Sequence, residues 1–270
     1  MHAHLTNCIQ ALKDLWQGDP RAVAFSMNGS GGRGSDDKWS DGDVVLVVKD
    51  EAYPAIREEM RALMERICGK ICAWITEGDS ATGVNFAFLF EYGGEQFLFD
   101  HSLLCEGSIH ESSQLDAGII FFDESGALTQ ANASYAAHRP SFNVENLINT
   151  YLIYAQITGK YYRRGDTAKL LYIQNTLQGL HLKVLAALYP QRKFTGWWCR
   201  DIEVLSEEHQ KTILLYAAPP ADDHIAALTR RELDLFAADA RAACAIRGIE
   251  FPEDGEAFVR KHLTDSGVFV

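Results

Sequence analysis

No stretch of this chain approaches the roughly 20 consecutive apolar residues that a membrane-spanning helix needs. The opening MHAHLTNCIQALKDLW also lacks the basic start, apolar core and small-residue cleavage site of an export signal. The protein is therefore expected in the cytoplasm, with no membrane partner. Basic residues are scarce: 25 Lys and Arg stand against 37 Asp and Glu, for a formal net charge of -12. A field of that sign repels polyanions, so long nucleic acid is not an expected partner, whereas a cationic small molecule or a divalent cation suits it. Solubility alone accounts for the whole surplus equally well. Only six cysteines occur, and Cys8, Cys68, Cys72, Cys105, Cys199 and Cys244 match neither a disulfide framework nor a zinc site. Cys68 and Cys72 stand one turn apart in a segment that reads as helix, where two buried thiols on the apolar face are expected. Internal repeats and low-complexity segments are absent.

What is present is ordinary for a folded protein. Hydrophobic residues make up 47% and charged residues 23% of 270, enough for a packed core, and the length allows two modest domains. Apolar residues at helical spacing from Leu5 to Trp16 predict an opening helix. Ala22–Met27 and Val44–Val48 read as strands joined by a polar, glycine-rich turn. Ala52–Trp74 reads as a helix with Ile56, Met60, Leu63, Met64, Ile67 and Ile71 on one side, and Pro54 is tolerated in its first turn. Phe86–Tyr92 and Gln96–Asp100 flank Gly93-Gly94, a hairpin signal, with the second strand free to run past His101. Gly118–Phe122 is a further strand, closed by a turn at Asp123–Gly126.

From about Leu128 the rhythm turns helical, over Val144–Thr158, Thr167–Tyr189, Ser206–Ala217, His224–Ile246 and Glu256–Leu263. The expected class is thus α+β: a mixed N-terminal domain over residues 1–137 with a short mixed sheet, and an all-α helical bundle over 138–270.

The candidate chemistry lies between the first two strands. Gly29-Ser30 ends the first, and Asp41 and Asp43 open the second, eleven and thirteen residues after Ser30. Carboxylates two apart on a strand share a face, so together they can hold a divalent cation, while the Gly-Ser turn offers N–H groups and a hydroxyl to phosphate. Magnesium prefers oxygen ligands and completes its shell with water and substrate phosphates. Taken singly, each half is also turn chemistry, since Gly, Ser and Asp are common turn residues. In this order, the strand, Gly-Ser, polar loop, Ser-Asp-x-Asp and apolar strand resemble the signature of the polymerase-β-like nucleotidyltransferase superfamily.

A closer resemblance runs from about residue 20 to residue 180. NGSGGRGSDDKWSDGDVVLVV, FLFEYGGEQFLFDHSLLCEG, GIIFFDESGALTQ, the His138-Arg139-Pro140 corner and the Tyr162–Ala168 helix entry occur in this order in the larger lincosamide nucleotidyltransferases, relatives of the aminoglycoside-modifying enzymes. The resemblance implies that Asp41 and Asp43 are the metal carboxylates, although a near relative has Asp-x-Glu, so this chain departs by one methylene at Asp43. Ser30 matches the phosphate-contacting serine, and Gly29 lets the backbone approach the phosphates. Glu106 aligns with the glutamate assigned as general base, while Asp100 also has an aspartate counterpart and is the alternative third carboxylate, as metal ligand or support.

It implies, further, magnesium (two ions), a nucleoside triphosphate as co-substrate, and a small-molecule hydroxyl acceptor, a lincosamide or an aminoglycoside, seated at the domain crevice. A homodimer is expected on the same ground. Arg33 and Lys38 in the loop are candidates to meet the triphosphate, and Arg164 to anchor phosphate or a carboxylate. Phe194, Trp197 and Trp198 form either an aromatic acceptor wall or, the better supported alternative, core packing. His101 and His110 flank the third strand within reach of a substrate. Two other functions compete: transfer onto a protein target, and a non-catalytic nucleotide-binding module. The second should have lost a metal carboxylate, and this chain keeps Asp41 and Asp43.

Overall fold

The computed structural model describes residues 1–111, 118–137, 142–191, 194, 198–217 and 222–269. These divide into two compact units, Met1–His138 and Arg139–Val270. The first unit has α1 (Ala3–Gln17), β1 (Ala22–Met27), α2 (Gly29–Arg33), β2 (Gly42–Val48), α3 (Tyr53–Cys68), β3 (Lys70–Glu77), β4 (Gly83–Tyr92), β5 (Glu95–Cys105), β6 (Ile119–Asp123) and α4 (Ala127–Ala137). Its strands form one sheet in the order β3-β4-β5-β2-β1-β6. Only the β2–β5 pairing is parallel; the others are antiparallel. The class is α+β, with a mixed sheet followed by helices.

The apolar run of β2 follows from its place. Val44, Leu46 and Val48 pack into the core under α1 and α3, while Val45 and Val47 join Leu128 and Ala131 of α4 on the opposite face. A strand covered on both sides reads as a continuous apolar run. The β4–β5 hairpin turns on Gly93 and Gly94, both at positive φ (63° and 83°), as a two-residue hairpin turn demands. Phe86, Phe88, Phe90 and Phe99 point into the α1/α3 core, with stacked ring pairs such as Phe88–Phe99 at 5.4 Å.

One expected element is divided in two. The helix predicted over Ala52–Trp74 stops at Cys68, and Lys70–Glu77 is instead the edge strand β3. Gly69 makes the break at φ 122°, where a Cβ would lie 2.8 Å from the Glu91 carbonyl. Cys68 is buried, but Cys72 is an exposed strand residue, so the two thiols do not share a helix face. The glycine-rich turn after β1 likewise holds the short helix α2, which the sequence does not announce.

The second unit has α5 (Val144–Arg163), α6 (Thr167–Ala186), α7 (Trp198–Asp201), α8 (Glu207–Leu215), α9 (Asp222–Arg247) and α10 (Glu253–Asp265). Asn143, Asp166 and Ser206 cap α5, α6 and α8 through side chains that accept backbone N–H bonds. A buried polar chain crosses its core: the Tyr151 and Tyr216 hydroxyls lie 2.8 Å apart, Tyr216 meets His181 Nδ1 at 2.9 Å, and His181 Nε2 meets Asp239 at 2.9 Å. Burial holds the His181 proton affinity down, against the pull of Asp239. Phe194 is buried in a cluster with Leu182, Leu185 and Ile213, so it is core. Trp197, the side chain of Trp198 and the His138–Pro140 corner lie outside the described residues. No helix among the described residues is long and apolar enough to cross a membrane.

Candidate active site

The site begins where β1 ends. The Asn28 N–H donates to the Asp43 carbonyl at 2.9 Å, closing the end of the β1–β2 pair, and the chain enters α2 through Gly29 at φ 59°. A Cβ at Gly29 would fall 1.7 Å from Asp43 Oδ2. Only glycine allows this approach. Ser30, the next residue, has a buried hydroxyl with no hydrogen-bond partner among the described residues. A buried unpartnered hydroxyl costs stability unless something satisfies it. Gly32 and Gly118 pack against the Met27 carbonyl, where their Cβ atoms would lie 2.5 and 2.2 Å away, so the start of β6 closes against the same corner.

The β2–β5 register completes the group. Asp43 stands directly opposite Asp100, and Gly42 opposite Phe99, whose ring takes the space a Gly42 Cβ would fill. Asp41 precedes β2. One oxygen from each of Asp41, Asp43 and Asp100 lies within 4.8 Å of the others, and all three side chains are half-buried. Burial is the main reason that Asp100 binds its proton more tightly than an ordinary aspartate, with the charges of Asp41 and Glu77 adding to it; a hydrogen bond from Asn85 works the other way. Three clustered carboxylates repel one another unless a cation sits among them. An all-oxygen donor set, a glycine with no Cβ against one ligand and an orphaned serine hydroxyl fit a hard divalent cation carrying phosphate.

Glu106 is not part of this group. It follows Cys105, the last residue of β5, and begins a tight helical turn, Glu106–Glu111. Cys105 pairs with Val48, at the opposite end of β2 from Asp43. Six residues at the strand rise of ~3.3 Å put Glu106 about 20 Å from Asp100. The even spacing sets both on one face only while the strand lasts, and it says nothing of distance. The general base expected at Glu106 is therefore displaced from the carboxylates by strand length. His101 is also turned away: it alternates with Asp100, lies wholly buried on the core face, and burial lowers its pKa to about 4, so the ring is neutral. The side chain of His110 lies outside the described residues.

Arg33 is exposed in α2, and the Lys38 ammonium sits over the Trp39 ring at 4.6 Å, in the loop leading to Asp41. Trp39 itself is 82% exposed. Arg164 is an exposed residue at the C-terminus of α5 in the other unit.

Three residues escape a reading of motifs. Asn85 and Ser102, both buried, and Glu77 line the same sheet face as Asp100. The visible signal was a lone Asn in the aromatic strand Val84–Phe90, where a buried amide needs partners.

Residues 1–74 match the family described as "Putative nucleotidyltransferase DUF294". That stretch carries the Gly-Ser turn, Asp41 and Asp43, and it supports a nucleotidyltransferase-like protein. Among solved structures, the chain is similar to an aminoglycoside 6-adenyltransferase from Bacillus subtilis at 14% identity and a TM-score of 0.43, covering 99% of each chain. It is also similar to a nucleotidyltransferase-like protein from Exiguobacterium sibiricum 255-15 at 10% identity and a TM-score of 0.41, covering 96% of this chain and 88% of that one. No curated protein matches.

Proposed function

We propose that the protein is a magnesium-dependent nucleotidyltransferase that moves a nucleoside monophosphate from a nucleoside triphosphate to a hydroxyl of a small acceptor, releasing pyrophosphate. The observation that carries this reading is the convergence of Asp41, Asp43 and Asp100 within 4.8 Å of one another, beside Gly29 and the orphaned Ser30 hydroxyl. Asp41, Asp43 and Asp100 would hold one or two divalent ions, which when bound neutralise triphosphate charge and stabilise the attacking and leaving oxygens. Ser30 donates its hydroxyl to an outer phosphate oxygen, and Gly29 leaves the room that lets phosphate approach Asp43. Arg33 and Lys38 offer cationic groups to the same triphosphate. The acceptor oxygen forms a bond to the α-phosphorus and gives up its proton to solvent water, the bond from that phosphorus to the bridging oxygen breaks, and pyrophosphate departs. Glu106 is given no step.

The acceptor in this reading is a cationic polyhydroxyl compound of the lincosamide or aminoglycoside kind, bound by the helical unit, with the enzyme acting as a homodimer. The net charge of -12 favours a cationic acceptor over a polyanion. The test is to offer the full chain each of the four triphosphates with magnesium or manganese and a panel of lincosamides, aminoglycosides and candidate proteins, reading pyrophosphate release and product mass. Release that depends on one acceptor supports the reading. A labelled protein in place of a small product would move the acceptor class, and absence of both pyrophosphate release and metal-dependent nucleotide binding would overturn it.

A further inference from the structure

Asn85 sits on β4 directly between Glu77 of β3 and Ser102 of β5. The residue is 7% exposed, and its amide uses both ends. The Ser102 hydroxyl donates to Asn85 Oδ1 at 3.0 Å, and Asn85 Nδ2 donates to Asp100 Oδ1 at 3.1 Å and toward Glu77 Oε2 at 3.5 Å. The orientation is forced. Turned over, the amide would aim its oxygen at two carboxylates, which can only accept, whereas the Ser102 hydroxyl can donate or accept. Strand alternation puts Glu77, Asn85, Ser102, Asp100 and Asp43 on one face, in a row that crosses four adjacent strands.

We propose that Asn85 is a positioning residue for the third metal carboxylate: with its amide locked by Ser102, it holds one oxygen of Asp100 and so fixes the carboxylate toward Asp41 and Asp43. The proposal rests on the metal-site reading above. A half-buried aspartate among like charges tends to rotate away from them or take up a proton. A neutral donor on one oxygen keeps it in place as an acceptor without adding the charge that a Lys or Arg would bring to the cation. Groups that orient metal ligands in this way are typically worth 10–100-fold in metal affinity. The amide also gives Glu77 a neutral partner beside Asp100, which separates a carboxylate outside the cluster from one inside it.

The experiment measures manganese binding to the full chain by electron paramagnetic resonance, with no turnover required. Wild type, Asp43→Asn, Asn85→Ala, Ser102→Ala and Ser102→Thr are compared, with circular dichroism and thermal melting on each. Asn85→Ala is expected to weaken manganese about 10–100-fold, Ser102→Ala by a smaller factor, and Ser102→Thr, which keeps the hydroxyl, is expected to restore wild-type affinity. A purely structural Asn85 would lower the melting temperature and leave affinity unchanged in the folded fraction, and that result overturns the proposal. Should Asn85→Ala not fold, equal affinity in Ser102→Ala and wild type overturns it instead. If wild type binds no manganese, or Asp43→Asn binds it as well as wild type does, the metal-site reading itself fails, an outcome distinct from failure of the Asn85 proposal.

Discussion

The parallel β2–β5 pair carries acids at both of its ends, and the two ends treat them differently. At one end Asp41, Asp43 and Asp100 crowd within 4.8 Å of each other, against a glycine that leaves no room for a side chain. At the other end Asp50 follows β2 and Glu106 follows β5, and there Asp50 accepts the backbone N–H of Gly107 at 3.0 Å. The far pair does local work: Asp50 secures the turn that ends β5, as a capping carboxylate does. The near group brings like charges together beside an orphaned hydroxyl. Acid content alone does not mark a site. Convergence of three carboxylates does, and a cation with phosphate would relieve their repulsion.

The comparison would break first at Asp43. Asp43→Asn keeps volume and removes a ligand charge, and transfer is expected to fall to background while the fold is retained. Pyrophosphate release under single-turnover conditions, with circular dichroism as the control, checks this. Near-normal turnover would make the near end as inert as the far end. Gly29→Ala is expected to act next most strongly. The new methyl would sit 1.7 Å from Asp43 Oδ2 at a φ of +59°, so either Asp43 or the turn must shift. Displacement of about 1 Å in a reacting geometry costs roughly 100-fold, and the strained backbone adds about 1–3 kcal/mol of destabilisation. A variant with wild-type rate and melting temperature would show that the close approach has no bearing on the site.

A buried acid in the helical unit sharpens the contrast between a perturbed carboxylate and a functional one. Glu232 is 1% exposed, takes a 2.6 Å bond from Gln174, and is pushed by burial from an ordinary value of 4.5 up to about 7. Its raised pKa means that the folded state holds the proton more tightly than the unfolded state. The contribution to stability is fully present below pH 4.5, declines as pH rises, and is lost above about 7. At 1.36 kcal/mol per unit, the loss across that window is about 3 kcal/mol. Glu232→Gln should abolish this slope and melt later than wild type at pH 8, with transfer activity unchanged. Urea midpoints at pH 5 and pH 8 decide it: an unaltered pH dependence in the variant would show that Glu232 is not the group responsible.

Much of the near end could be read from residue order, because its parts are local. Gly29, Ser30, Asp41 and Asp43 fall within fifteen residues, and the apolar runs on either side fix the strands that carry them. The partner of Asp43 could not be read so directly. Which residue of β5 lies beside it depends on a parallel register set across more than fifty residues, and nothing in the local pattern of β5 separates Asp100 from Glu106. The end of α3 was hidden for a related reason: Ile67 and Ile71 continue its helical spacing, while Gly69 and the β-favouring Ile75 and Thr76 act against it. Asn85 was passed over because its meaning lies in partners on two other strands.

The smallest effect belongs to Glu106, and it tests the comparison most directly. About 20 Å separates this side chain from Asp100 by strand rise, too far for a proton to pass from an acceptor hydroxyl held at the carboxylate cluster, since a base must come within about 3 Å or act through one water. Glu106→Gln should therefore change the single-turnover rate by no more than about twofold, against the ~10²–10⁴ expected on removing a true general base. Manganese affinity should be unchanged as well. Glu106→Gln is best paired with Asp100→Asn in the same assay, because Asp100 lies on β5 beside Asp43 and Glu106 follows the far end of the same strand. Loss of rate in both would mean that the far end reaches the reacting atoms by some route other than β5. Loss of rate in Glu106→Gln alone would place the chemistry at the far end and leave the near carboxylates as a structural cluster. Loss in Asp100→Asn alone is the outcome expected if the proposed metal site lies at the near end, where Asp100 pairs with Asp43.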